Sequence, residues 1–85
     1  MVNKVILIGN VGQEPEFRNL DSGAKVANFS LATNEQYKDR NGNKVQHTDW
    51  HRIVIWNRLA EIVESYVSRG DKIYIEGKIR TRSYE

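Results

Sequence analysis

The amino-acid sequence predicts a mainly β domain with one helix, its elements in the order strand, strand, strand, helix, strand. Three observations carry that reading. From Asp49 to Asn57, Trp50, Arg52, Val54 and Trp56 alternate with Asp49, His51, Ile53 and Ile55, and side chains of an extended strand point to opposite faces in turn. From Lys72 to Tyr84 the same period returns, with Ile73, Ile75, Gly77 and Ile79 opposite Lys72, Tyr74, Glu76, Lys78, Arg80, Arg82 and Tyr84. Between the two, Leu59, Ile62, Val63, Tyr66 and Val67 recur at the spacing of one helical stripe.

The elements follow in order. A first strand is predicted over Lys4 to Val11, rich in Val and Ile and apolar on both faces, ending at Gly9-Asn10-Val11-Gly12 before a loop that contains Pro15. A strand with two apolar faces is central or sits in an interface, and Val5 and Leu7 are its candidate interface residues. The second strand runs from about Lys25 to Asn34, with Ala27, Phe29 and Leu31 on one face and Asn28, Ser30 and Asn34 on the other. Glu35 to Thr48 is polar with Asn41-Gly42 near its middle, a hairpin connection that projects from the body. After the third strand, Asn57 is placed to cap the first turn of the helix and Gly70 to take the left-handed conformation at its end.

Length and composition bound the function. A chain of 85 residues is one domain, and it buries only about 60% of the surface its unfolded form exposes, so self-association would help it. With 39% hydrophobic and 28% charged residues the composition is that of an ordinary globular domain. The apolar run Val5 to Ile8 is too short for a signal-peptide core or a membrane helix, and a cytoplasmic chain is expected. With no cysteine there are neither disulfides nor thiolate metal sites. A net charge of +2 means that a polyanionic partner would depend on where the charge is placed rather than on its total.

The two alternating strands place it. One face of the third strand carries Ile53 and Ile55, ordinary core material, whereas the other offers two indoles separated by a guanidinium. Every nucleobase has a π-face, so rings along a basic groove hold single-stranded nucleic acid with little regard for sequence. The basic face of the last strand, ending in Tyr84, repeats the arrangement. Two structural alternatives stand beside this reading: the indoles could pack under a neighbouring strand or in a subunit interface, and Arg80 and Arg82 could be a solvated strand face. An enzyme has one foothold, His47, Asp49 and His51 at alternate positions where a divalent ion could bind. No fourth ligand accompanies them, their face continues into Ile53, and no Ser/His/Asp set supports a hydrolase. Asn10-Val11-Gly12 lacks the spacing of a phosphate loop. A non-enzymatic chain without metal or cofactor is expected.

The element order is that of the oligonucleotide/oligosaccharide-binding (OB) fold, a five-stranded Greek-key barrel. The segments Val2-Asn3-Lys4-Val5-Ile6-Leu7-Ile8-Gly9-Asn10, Gly12-Gln13-Glu14-Pro15-Glu16, Thr48-Asp49-Trp50-His51-Arg52 and Tyr74-Ile75-Glu76-Gly77-Lys78-Ile79-Arg80-Thr81-Arg82 resemble the bacterial single-stranded DNA-binding protein (SSB) family in order and spacing. The resemblance implies a homotetramer of OB domains, built from dimers, around which single-stranded DNA wraps in replication, recombination and repair, in the bacterial cytoplasm at the nucleoid. It implies that Trp50, Trp56, Tyr37 and Tyr84 stack bases, Tyr37 from the root of the hairpin, and that Arg52, Arg58, Arg80 and Arg82 hold the backbone. Lys4, Arg18 and Lys78 are further candidates, and His51 matches a histidine of the family's subunit interface. The same resemblance implies a fifth, barrel-closing strand and a tail whose acidic tip recruits replication and repair proteins, both expected beyond Glu85, so that the chain reads as part of a longer protein. The competing class on the same fold is an adaptor of replication restart that acts through protein contacts.

Overall fold

The computed structural model describes residues 1–81. Its elements are β1 (Val5–Val11), β2 (Glu16–Asn19), β3 (Lys25–Lys38), β4 (Lys44–Trp56), α1 (Arg58–Tyr66) and β5 (Lys72–Gly77). The predicted order holds, with β2 added. That short strand lies in the segment read as a loop, because Phe17 is its one apolar residue and no alternation announces it. Pairing across β3 and the packing of Phe17 against the core supply what the local pattern lacks.

All described pairings are antiparallel, and β3 is their centre. One edge of β3 pairs with β4 from Val26 opposite Trp56 to Lys38 opposite Lys44. Its other edge is shared: β2 covers Lys25 to Asn28, and β1 takes over at Leu31 and Ala32. β1 in turn pairs with β5, from Val5 opposite Gly77 to Asn10 opposite Lys72. The sheet is therefore open, with a cleft of about 920 Å³ between β4, the helix and the segment from Tyr74 to Arg80.

The core is small and follows the alternation. Ala27, Phe29 and Leu31 from one face of β3 meet Val11, Ile53, Ala60 and Val63, and Leu7, Ile55, Val67, Ile73 and Ile75 pack around them. Along β1 this same alternation divides the strand. Leu7 packs on the core and Val5 lines the cleft, while Ile6 and Ile8, one residue out of phase, are the exposed apolar members of the strand.

The helix uses its apolar stripe differently from the prediction. Ala60 and Val63 are its buried residues and Val67 packs beside them, whereas Leu59, Ile62 and Tyr66 stay exposed, the first two along the cleft. Its ends differ as well. Asn57 makes no side-chain cap; its Oδ1 accepts instead from the Lys25 amide at 3.3 Å, and its own amide donates to the Lys25 carbonyl at 2.7 Å. Those bonds tie the helix start to β3. The helix stops at Tyr66 with Val67 already extended, so Gly70, at φ 90°, shapes the following turn rather than the helix end.

Two further boundaries move. The polar stretch after Asn34 stays paired as a ribbon up to a turn at Asp39–Asn43, where the Asp39 carboxylate accepts from the Asn41 and Asn43 amides and Gly42 takes φ 79°. The predicted Asn-Gly turn is there, but Tyr37 is consequently near the ribbon's tip rather than at its root. The ribbon helps stretch the molecule to 56 Å, with a radius of gyration of 15.8 Å against about 12 Å for a compact domain of this length. At the other end β5 stops at Gly77 instead of running to Tyr84, because its partner β1 begins at Val5. Beyond it Asn3 clamps Ile79 with two hydrogen bonds, from Nδ2 to the carbonyl at 2.9 Å and from the amide to Oδ1 at 3.1 Å.

Candidate nucleic-acid interface

The register of β3 and β4 builds the site. Residues opposite one another in an antiparallel pair share a face, so Trp50 stands beside Ala32, Arg52 beside Ser30, Val54 beside Asn28 and Trp56 beside Val26. β2 extends two of these rows, adding Glu16 next to Asn28 and Arg18 next to Val26. The result is one surface with an indole at each end and a guanidinium between.

Both rings are open to solvent, Trp50 at 62% and Trp56 at 53% exposure. The alternative in which they pack beneath a strand is not what this chain does with them. Their neighbours are buried instead: Ala32 and Val26, on that outer face, are buried beside the indole opposite each. Each ring thus shields a small apolar residue and keeps surface free for a second ring. The edge of Trp50 also reaches Gly12, where a methyl group added to the glycine would lie 2.3 Å from Cζ3.

Charge surrounds the rings in two places. A polar hollow of about 490 Å³ is lined by Arg18 and Arg52 with Glu16, Phe17 and Asn28, which brings together two guanidiniums from segments 34 residues apart. Along the cleft, Lys78 and Arg80 stand across from Trp50, Arg52 and Trp56. Among the described residues none of Arg18, Arg52, Arg58, Lys78 and Arg80 makes an ion pair, so these cations are available to an anion. Lys4 is different, since its ammonium is 2.8 Å from the Glu76 carboxylate. Arg58 is exposed at the first turn of the helix and lines neither hollow. Tyr37, 53% exposed, pairs with Val45 and belongs to the opposite side of the ribbon's alternation from Trp50. Arg82 and Tyr84 lie outside the described residues.

The histidine set does not converge. His47 Nε2 pairs with Asp49 Oδ1 at 3.0 Å, while His51 Nε2 is 2.9 Å from Thr33 Oγ1 on the neighbouring strand. Among the described residues no three His, Asp or Glu side chains are placed to hold a metal ion. No helix of the described residues is long and apolar enough to cross a membrane.

Two features of the surface escape the sequence. Gly12 touches Trp50 across an intervening strand, a contact that no local pattern announces. The exposed pair Ile6 and Ile8 was signalled by a strand apolar on both faces, although which phase would face outward was not.

Comparisons with known proteins agree on a single family. The profile described as the single-strand binding protein family matches residues 2–85. The single-stranded DNA-binding protein of Bacteroides thetaiotaomicron is 60% identical over 85 residues, which cover 98% of this chain and 53% of that protein. Single-stranded DNA-binding protein 1 of Chlorobaculum tepidum is 50% identical over 84 residues, 99% of this chain and 52% of that protein. The chain therefore spans about half the length of the curated relatives it matches. Among solved structures, the Plasmodium falciparum SSB in complex with single-stranded DNA superposes with a TM-score of 0.91 at 42% identity, covering all of this chain and 75% of that one. A deletion mutant of the Thermus aquaticus single-stranded DNA binding protein gives a TM-score of 0.87 at 27% identity, over 99% of this chain and 41% of that one. The open antiparallel sheet with one helix is thus the OB fold of these proteins.

Proposed function

The chain belongs to the single-strand binding protein family, and from that premise we propose that it binds single-stranded DNA with little regard for sequence and does no chemistry on it. The observation that carries the reading is the exposed face of β4, where Trp50 and Trp56 flank Arg52. Stacking is sequence-tolerant because every base offers a π-face, and phosphates supply the opposite charge that Arg18, Arg52, Arg58, Lys78 and Arg80 do not find among the described residues. Tyr37 adds a ring on the projecting ribbon, and the family resemblance adds Arg82 and Tyr84, which follow Thr81 in the sequence. Lys4 is the weakest member of the set, because binding a phosphate there means giving up Glu76. The cellular role that follows is protection of exposed strands in replication, recombination and repair in the cytoplasm, with replication and repair proteins as further partners.

Self-association belongs to the same proposal. Ile8 lies opposite Tyr74 and Ile6 opposite Glu76 on the outer face of β1 and β5, and Ile6, Ile8 and Tyr74 are each more than half exposed. A second copy covering that face, as a step toward a tetramer, removes this apolar surface from water. His51, half-buried on Thr33, is a secondary candidate for the interface. The cleft between β4 and β5 is an apolar seat of the right kind for one further strand, which would turn the open sheet into a barrel.

The experiment is a tryptophan-fluorescence titration with a long thymidine oligomer at several salt concentrations, on protein of known oligomeric mass. Strong quenching with a salt-dependent midpoint is expected. Absence of quenching from folded protein would hand the lead to the adaptor reading, against which the similarity to single-stranded DNA-binding proteins weighs.

A further inference from the structure

We propose that Gly12 is a positioning residue for the Trp50 platform, holding the indole in its stacking attitude by letting the ring lie directly on its backbone. A Cβ built at Gly12 falls 2.3 Å from Cζ3 of Trp50, 3.0 Å from Cη2 and 3.3 Å from Cε3, all atoms of the six-membered ring. Real carbon contacts do not approach to 2.3 Å, so any other residue at position 12 must push the ring away.

The glycine is not there for its backbone. Gly23, Gly42 and Gly70 are the glycines with positive φ, and Gly12 is not among them, so alanine could adopt its conformation without strain. Its amide donates to the Ser30 carbonyl at 2.9 Å, which pins the residue against β3 and fixes the floor under the ring. β3 lies between β4 and Gly12, so the indole has to cross it. On that face β3 presents Ala32 opposite Trp50 and Ser30 opposite Arg52, both small. A trough of Ser30, Ala32 and Gly12 therefore runs from the root of Trp50 to the tip of its ring.

The consequence is functional. A ring that is 62% exposed would ordinarily sample several rotamers, and ordering such a side chain on binding costs affinity. Lying in the trough, Trp50 meets a base already oriented. Trp56 has no comparable glycine contact among those found, so the two indoles, alike in exposure, differ in preorganisation.

The inference rests on the reading of Trp50 as a stacking surface, and the test separates the two. In a Trp56→Phe background Trp50 is the sole tryptophan, since the chain has two. Time-resolved fluorescence anisotropy of the DNA-free protein then reads the mobility of that ring, and a thymidine-oligomer titration reads affinity. Gly12→Ala is expected to enlarge the fast local motion of the indole and to weaken binding about fivefold, the lower end of one stacking contact. With Trp50→Phe, whose single ring ends short of the glycine, the same Gly12→Ala change should alter affinity by no more than about twofold. Equal losses with either residue at position 50, or an indole whose motion is unchanged by Gly12→Ala, would overturn the proposal. If Gly12→Ala prevents folding, recovery of the circular dichroism spectrum on adding Trp50→Phe supports the ring contact, and failure to recover overturns it. Parent-like affinity of Trp50→Ala would instead sink the stacking reading, while the anisotropy still decides whether Gly12 holds the ring.

Discussion

At the scale of single residues, exposure and pairing decide between candidates that look alike in the sequence. Trp50 and Trp56 are both open rings on one face, and Trp50→Ala is expected to cost about 1–3 kcal/mol of binding to a thymidine oligomer at fixed salt. Unchanged affinity in a variant with intact fold would remove Trp50 from the platform. The cations divide more sharply. Arg80 has no ion-pair partner among the described residues, whereas Lys4 is held by Glu76 at 2.8 Å. A phosphate contact on a single strand contributes about 0.7 to the slope of log affinity against log salt. Arg80→Ala should therefore lower the slope by about that amount, and Lys4→Ala should leave it near the parent's; a reversed ranking in salt titrations would show that the pairing seen here does not govern access to phosphate. The rings and cations themselves were legible in the sequence, because alternation alone puts Trp50, Arg52 and Trp56 on one face. Gly12 was not, since its contact with Trp50 exists only once β3 has been laid between them.

At the scale of elements, the reading succeeded where the pattern was local and strong and failed where tertiary pairing overrode it. β1, the paired part of β3, the tryptophan strand and the helix follow from period, but β2 exists because β3 offers an edge to a segment with a single apolar residue. β5 ended early for the converse reason, running out of partner at Val5 while its alternation continued. The start of the helix shows the same override in one residue. A capping Asn is the expectation for this position, yet Asn57 has φ 55° and ψ −121° and uses its side chain on Lys25. Such a backbone is natural to glycine and costs other residues about 1–3 kcal/mol, whereas an exposed hydrogen bond of 3.3 Å contributes at most about 1 kcal/mol. Relief of strain outweighs loss of the bond, so Asn57→Gly should stabilise the domain slightly and Asn57→Val should destabilise it by more than about 1 kcal/mol. Urea unfolding of the two variants checks the sign; a less stable Asn57→Gly would mean that the tie to Lys25 matters more than the backbone.

At the scale of the whole molecule, the core is too modest to explain why β1 carries apolar residues on both faces. Among the described residues Phe29 and Leu31 are the large side chains with almost no exposure, and deleting a buried leucine typically costs about 2–5 kcal/mol, a large share of what a small domain has. A chain with so little to spare that still exposes Ile6 and Ile8 at 54% and 57% gains stability if a second copy covers them, as proposed above. Composition pointed to self-association and the two-faced strand pointed to an interface, but the phase could not be read until β5 fixed which side of β1 turns inward. The consequence is specific. Ile8→Glu places a charge opposite Tyr74 in the middle of the exposed face without touching the core, so it should lower the oligomeric mass seen by light scattering while far-UV circular dichroism stays that of the parent. A Leu7→Glu change should behave otherwise, unfolding the domain, because Leu7 packs on the core cluster. If Ile8→Glu keeps the parent's mass, the chain associates through some other surface, and the edges of the open cleft become the next place to put a charge.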